Sequence, residues 1–320
     1  MGVRTISTVA LLLAVALHAC AGRTVVPVAD TRLPPQQLAE LWVEPEPGRD
    51  LYWGVGGQRY APDPAAVYTL ESKDESGFSV GYDVTGPDGT EWSAKIGPEA
   101  QTEVVASRLL WGVGYHQPPV YYLPSWTLQA GDERQTISEA RLRPDVPALQ
   151  RLQEPWRWQD NPFMGTREFR GLLVVLLMLN STDLKDDNNS VYQLREPWDG
   201  AARWFVVRDL GAALGEIGRF YPRRNWLEGF EKQPFIERVD GARVEFDYDG
   251  LQQELLTLIQ ADDVRWAAQL MARLTDRQWQ DAFRAADYPD ATAERFIRRI
   301  KQKIEDGLAV RVDAALLKDR

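Results

Sequence analysis

Between Asn180 and Asn189 the chain reads Asn-Ser-Thr-Asp-Leu-Lys-Asp-Asp-Asn-Asn, with three aspartates, three asparagines and one lysine in ten residues. Carboxylate and amide oxygens at this density are the donor set of hard cations such as Mg²⁺, Mn²⁺ or Ca²⁺. A solvated turn uses the same residues, because Asp and Asn favour turns. The Asp-x-Asp-x-Asp-Gly spacing of a calcium loop is missing. What the stretch does have is an order, Asp183-x-Lys185-x-x-Asn188. A second acidic signal, Arg208-Asp209-Leu210-Gly211, closes the next apolar run.

Periodicity says which elements must carry these residues. Phe169, Leu172, Leu173, Leu176 and Leu177 repeat at helical spacing from Thr166 onward. The apolar run Leu172–Leu179 is too short to span a bilayer and suits a buried helix that empties into the Asp183 loop. Val191–Leu194 and Trp204–Val207 read as strands around a turn at Glu196–Gly200. Asn188 and Asp209 are 209 − 188 = 21 positions apart. A hairpin between them puts both at the same end of neighbouring strands, where both can reach one metal.

Together these residues resemble the catalytic loop and metal-binding Asp-x-Gly of the protein-kinase-like superfamily. The resemblance implies that Asp183 is the base, that Asn188 and Asp209 hold the metal, and that Lys185 neutralises charge on the moving phosphoryl group. Leu210 replaces the usual Phe, and Ser181-Thr182 stands where His-Arg belongs. These departures point away from ordinary protein kinases and toward atypical branches: HipA-like, phosphatidylinositol-kinase-like and secreted CotH-like or casein-kinase-like kinases. Lys95, in Ser-Ala-Lys-Ile, resembles the third-strand lysine that binds the nucleotide phosphates. A helix over Pro98–Trp111 follows it and carries Glu103 as the expected ion-pair partner, with Glu99 as the rival. Ser76 and Gly77, in the link between the first two strands, stand where such a fold covers the phosphates. The implied cofactors are ATP and Mg²⁺ or Mn²⁺, and the implied partners are the nucleotide and a phosphoacceptor of unspecified class.

The remaining strands expected in the N-terminal half are Ala66–Leu70, Phe78–Val84, Thr90–Ile96 and Pro118–Leu123. Trp126–Gln129 and Glu139–Leu142 would supply a fifth strand and a hinge. Helices are expected over Leu251–Ile259, Val264–Leu274 and Thr292–Leu308, and Thr275-x-x-Gln278 forms a capping box. The expected fold class is α+β, and the resemblance implies a bilobal, protein-kinase-like arrangement, with a β-rich N-lobe over 50–128 and an α-helical C-lobe over 129–320.

Residues 1–19 have the positive and apolar regions of an export signal. Leu17-His18-Ala19-Cys20 resembles a lipobox, which makes Cys20 the expected lipid acceptor and the membrane a partner through it. Residues 20–49, rich in proline, would then be a tether, and the protein would sit on the bacterial cell envelope. Cys20 is the single cysteine of the sequence, so the mature chain has no disulfide. His116 is the one histidine outside the signal, which excludes zinc sites built on two or more His or Cys. His116 itself suits a packing or surface role. Gly54–Gly57 lacks the third glycine of a dinucleotide fingerprint and reads as a turn. The net charge of −10 argues against a nucleic-acid partner. Two other classes stay open: a catalytically inactive kinase-like scaffold lipoprotein, and a calcium-binding envelope protein.

Overall fold

The structure, a computed structural model, describes residues 30–311 except 76, 182, 199 and 219–222. Cys20, the signal segment and Ser76 lie outside the described residues. After a short helix α1 (Pro35–Leu38) the chain enters strands β1 (Val67–Asp74), β2 (Gly81–Thr85) and β3 (Glu91–Lys95), then helix α2 (Glu99–Gly112). Strands β4 (Tyr121–Ala130) and β5 (Glu133–Pro144) follow, and the five close into a barrel in the order β1-β2-β3-β5-β4. Closure comes from a parallel pairing of β1 with β4, Val67 opposite Thr127. The barrel is filled by Tyr68, Tyr82, Val84, Trp92, Ala94, Leu123, Trp126, Leu128, Ala140 and Leu142. Ala94 points inward, so its neighbours Ser93 and Lys95 take the outer face, as strand alternation requires.

The next part begins with β6 (Leu149–Arg151) and helix α3 (Arg167–Met178). Thr166 caps α3 by accepting the Phe169 amide at 3.1 Å. Strands β7 (Asn189–Trp198) and β8 (Ala201–Val207) form the expected hairpin, with β6 added at its edge. The hairpin is longer and its turn tighter than the Pro197 region suggested, closing through Gly200 at φ +77°. Then come α4 (Leu227–Lys232), a small hairpin β9 (Ile236–Asp240) and β10 (Arg243–Phe246), and α5 (Gln253–Leu256). Helices α6 (Ala261–Ala272), α7 (Asp276–Arg284) and α8 (Asp290–Ala309) complete the helical part. Its core is continuous with α2 and α3, and Leu176, Met178, Ala268 and Ile300 are all in it. The architecture is thus a mixed α+β chain, strand-rich first and helix-rich later. Among the described residues no helix is long and apolar enough to cross a membrane.

Several local expectations are corrected. The fourth strand starts at Tyr121 and runs through 126–129, because Pro118 and Pro119 have no N–H to give a ladder. The barrel strands extend to Pro144, so a boundary at 128 falls inside β4. Phe78 is 67% exposed and precedes β2 instead of opening it. Leu251–Ile259 holds only the four-residue α5, since Gln252 adopts φ +60° and breaks the run. From Asp30 onward the proline-rich segment is docked, not a loose tether. Leu41 is buried, Trp42 packs edge-on to Trp266 at 5.4 Å, and Glu40 forms a two-point ion pair with Arg203. His116 is buried, stacked 4.8 Å from Trp204, and donates from Nε2 to the Ala39 carbonyl.

Candidate functional site

Lys95 is the last residue of β3, and α2 begins four residues later. That spacing brings its ammonium over the first turns of the helix. Nζ lies 2.9 Å from Glu99 Oε2, 3.5 Å from Glu103 Oε2 and 3.0 Å from Asp209 Oδ2. Glu99, the rival, is therefore the nearer helix partner. Glu103 is completely buried and serves mainly Arg141 at 2.8 Å and Arg143 at 2.5 Å, both on the outer face of β5. Sequence reading missed these two arginines, although their alternation with Ala140 and Leu142 was a visible signal.

Burial by itself would lower the Lys95 pKa, but Glu103, Asp209 and Glu99 together outweigh it and hold the ammonium above the ordinary lysine value. Burial would likewise raise Asp209, yet Lys95 overrides it and keeps that carboxyl well below the usual carboxylate range. Both groups are thus fixed in their charged forms.

Asp209 is aimed by its own turn. Its Oδ1 accepts the Gly211 amide at 3.2 Å, and Thr102 Oγ1 of α2 donates to the Gly211 carbonyl at 2.8 Å. Glycine is required at 211, because a Cβ there would stand 2.6 Å from the Glu99 Cβ. The Asp-Leu-Gly signal is in this sense a packing rule as well as a chemical one.

The loop after α3 meets the same place from the other side. The Asn188 carbonyl accepts the amides of Arg208 and Asp209 at 2.8 and 3.0 Å, and its side-chain Nδ2 donates to the Asp183 carbonyl at 2.6 Å. Asn188 therefore couples the Asp183 loop to Asp209. Lys185 Nζ is 3.0 Å from Asp183 Oδ2 and largely exposed. Asp186 and Asn189 have structural tasks: Asp186 accepts the Trp158 amide, and Asn189 donates to the Trp156 carbonyl. Among the described residues no group of three or more His, Cys, Asp or Glu is arranged to hold a metal. An Asn188 oxygen and an Asp209 carboxylate would make a two-ligand site that a phosphate-bearing ligand completes, which fits Mg²⁺ better than a self-sufficient Ca²⁺ loop.

The rim is built by residues around Gly77. Gly77 is exposed, and Ser79 Oγ donates to Glu99 Oε2 at 2.9 Å. Arg224, from the segment after Gly211, pairs with Glu99 at 2.5 Å and lies 4.0 Å over the Phe78 ring. Arg223 stacks on Trp226 instead. A shallow opening beside Asp183 and Lys185 is lined by Gly218, Arg224 and the 249–254 segment, with a volume of about 510 Å³.

No family model matches this sequence, and no curated protein matches it. Among solved structures the chain is similar to the Helicobacter pylori proinflammatory kinase CtkA at 8% identity, covering 79% of this chain and 95% of that one with a TM-score of 0.41. It is similar to the Golgi casein kinase at 10% identity, covering 78% of this chain and 74% of that one, also with a TM-score of 0.41.

Proposed function

We propose that the protein is an atypical kinase-like phosphotransferase that moves the γ-phosphoryl group of ATP to an acceptor hydroxyl. One observation carries the reading: Lys95 is shared by Glu99, Glu103 and Asp209, while Asn188 ties Asp209 to the loop of Asp183. A cation at a strand end, three anions that fix it and a separate loop carboxylate are the parts that phosphoryl transfer needs.

In this proposal Lys95, oriented by Glu99 and the buried Glu103, receives the phosphate oxygens. Asn188 and Asp209 would hold Mg²⁺ or Mn²⁺, which supplies charge to offset those oxygens. Asp183 orients the acceptor and takes its hydroxyl proton. The acceptor oxygen forms the new bond to phosphorus as the bond to the bridging oxygen of ADP breaks. Lys185, beside Asp183, steadies the negative charge that builds between them. The barrel and the helical part would then be the two lobes of a kinase-like fold. The lipobox-like Leu17–Cys20 supports an envelope lipoprotein anchored through an acylated Cys20. An intact mass of membrane-extracted protein without lipid on Cys20 would reject the anchor.

Thermal shift and transfer assays test the activity. A ligand specific to the folded state adds about 2.7 kcal/mol at 100 times its dissociation constant. Millimolar Mg-ATP should raise the melting temperature, and Asp183→Asn should keep that shift while stopping transfer of label. A shift without transfer by the wild type would favour the inactive scaffold. No shift with any nucleotide and metal would reject nucleotide binding altogether.

A further inference from the structure

A second opening lies beside the candidate site. Strands β2 and β3 roof a cavity of about 550 Å³, and the β6–β7 pairing forms its floor. Ser93 lines it, and Lys95 lies two residues further along the same face of β3.

Three guanidinium groups converge on that floor. Arg143 Nη2 donates to the Arg208 carbonyl. Arg208 Nε donates to the Tyr192 hydroxyl at 3.2 Å. Arg151 stands opposite Tyr192 in the strand register and donates from Nε to Ser190 Oγ at 3.1 Å. All three line the cavity. Among the described residues neither Arg151 nor Arg208 has a carboxylate within ion-pair range. Arg143 pairs with Glu103, yet its Nε is buried without a hydrogen-bond partner. Burial first, and the Arg208 charge after the Glu103 contribution, leave Arg143 at about 9. The four carboxylates of this cavity, Glu71, Asp83, Glu91 and Asp145, are exposed, and two of them already accept bonds, Asp83 from Ser72 and Glu71 from Thr85.

Among the described residues the side chains of Arg151 and Arg208 donate only through Nε, which leaves their outer nitrogens open to an anion. A phosphoryl group presents several oxygens to which guanidinium forks bind in pairs. We propose that this cavity is a phosphate-recognition compartment, in which Arg151 and Arg208, backed by the buried Arg143, hold a phosphoryl group of the molecule that enters the cleft. The carboxylates of the cavity then accept bonds from that molecule's hydroxyl or amino groups. The proposal rests on the reading above only in taking the ligand from the same cleft; the anion site stands on the arginines themselves.

Calorimetric titration of the full chain with inorganic tripolyphosphate, without divalent metal, tests it. Wild type should bind, more weakly at high salt. Arg151→Gln and Arg208→Gln should each weaken binding roughly tenfold or more, as loss of a charge-assisted bond does. Asp209→Asn should bind at least as well as wild type. Arg151 is exposed, so its variant decides the matter even if Arg208→Gln fails to fold. Competition by ATP assigns the phosphate to the nucleotide, and competition by glucose 6-phosphate assigns it to an acceptor. Competition by neither, no binding to wild type, or equal binding by wild type and Arg151→Gln overturns the compartment. Tripolyphosphate binding that survives while Mg-ATP gives no thermal shift would reject the phosphotransferase and leave the compartment standing.

Discussion

Lys95 Nζ and Asp209 Oδ2 sit 3.0 Å apart although 114 residues separate them in the chain. One is the last residue of a barrel strand, and the other follows the last residues of the β7–β8 hairpin. The pair closes the two parts of the chain on each other at the point where the phosphates are proposed to bind.

Asp209→Asn should therefore leave the apo protein folded, because Lys95 keeps Glu99 and Glu103. The metal-dependent part of the Mg-ATP thermal shift should disappear, while any metal-free shift persists. Asp209 has a depressed folded pKa, so its contribution to stability is present above about pH 4 and is lost as pH falls below that. Melting curves between pH 2.5 and 5, compared with Asp209→Asn, read this directly; parallel curves would show that the carboxylate is not held by Lys95.

His116 should make the fold acid-sensitive in a higher window. Burial first, and Arg49 after the opposing bond to Ala39, bring its pKa from 6.5 to about 4. The unfolded chain then binds the proton that the folded chain refuses, so stability is full above pH 6.5 and declines toward pH 4. The loss is up to about 3 kcal/mol. Denaturant titrations at pH 7 and 4.5 should show a smaller drop for His116→Gln than for wild type.

Lys303 gives the opposite end of the scale. It is fully buried on α8, donates to Asn180 Oδ1 at 2.6 Å and lies 4.3 Å over the Phe230 ring. Burial, then Arg299, hold its pKa well below the ordinary lysine value, and Asp247 and Asp306 offset this only in part. The unfolded chain binds its proton up to about pH 10.4, so stability should rise as pH climbs toward that value. The stability of wild type relative to Lys303→Met should increase between pH 7 and 9.5. Asn180 also donates to the Gly215 carbonyl, so Lys303→Met should slow transfer by loosening the Asp183 loop.

Arg224 latches the segment after Gly211 onto Glu99 and Phe78. Arg224→Ala should speed amide exchange around residues 78–81 and 223–226. A contact of about 1 kcal/mol corresponds to roughly fivefold faster local opening. Unchanged exchange at Ser79 and Val80 would mean that the latch does not hold the rim.

Much of this site was legible in one dimension because chemistry and chain geometry coincide locally. Asp183, Lys185 and Asn188 share one loop, a helix-period run must deliver it, and a 21-position gap fits a hairpin that returns Asp209 to Asn188. The strand–helix step from Lys95 into α2 is equally local. What tertiary structure decided were choices among residues of equal merit and contacts with no sequence period. Glu99 and Glu103 lie one turn apart on the same helical face, so only the approach of β3 and the arginines of β5 determines that Glu99 is nearer to Lys95 and Glu103 is buried. Arg151 and Arg208 come together through strand pairing across 57 positions, which no local pattern encodes. The docking of Leu41 and Trp42 likewise turned a proline-rich stretch from spacer into packing, because burial depends on which surface a distant helix offers and not on the composition of the stretch itself.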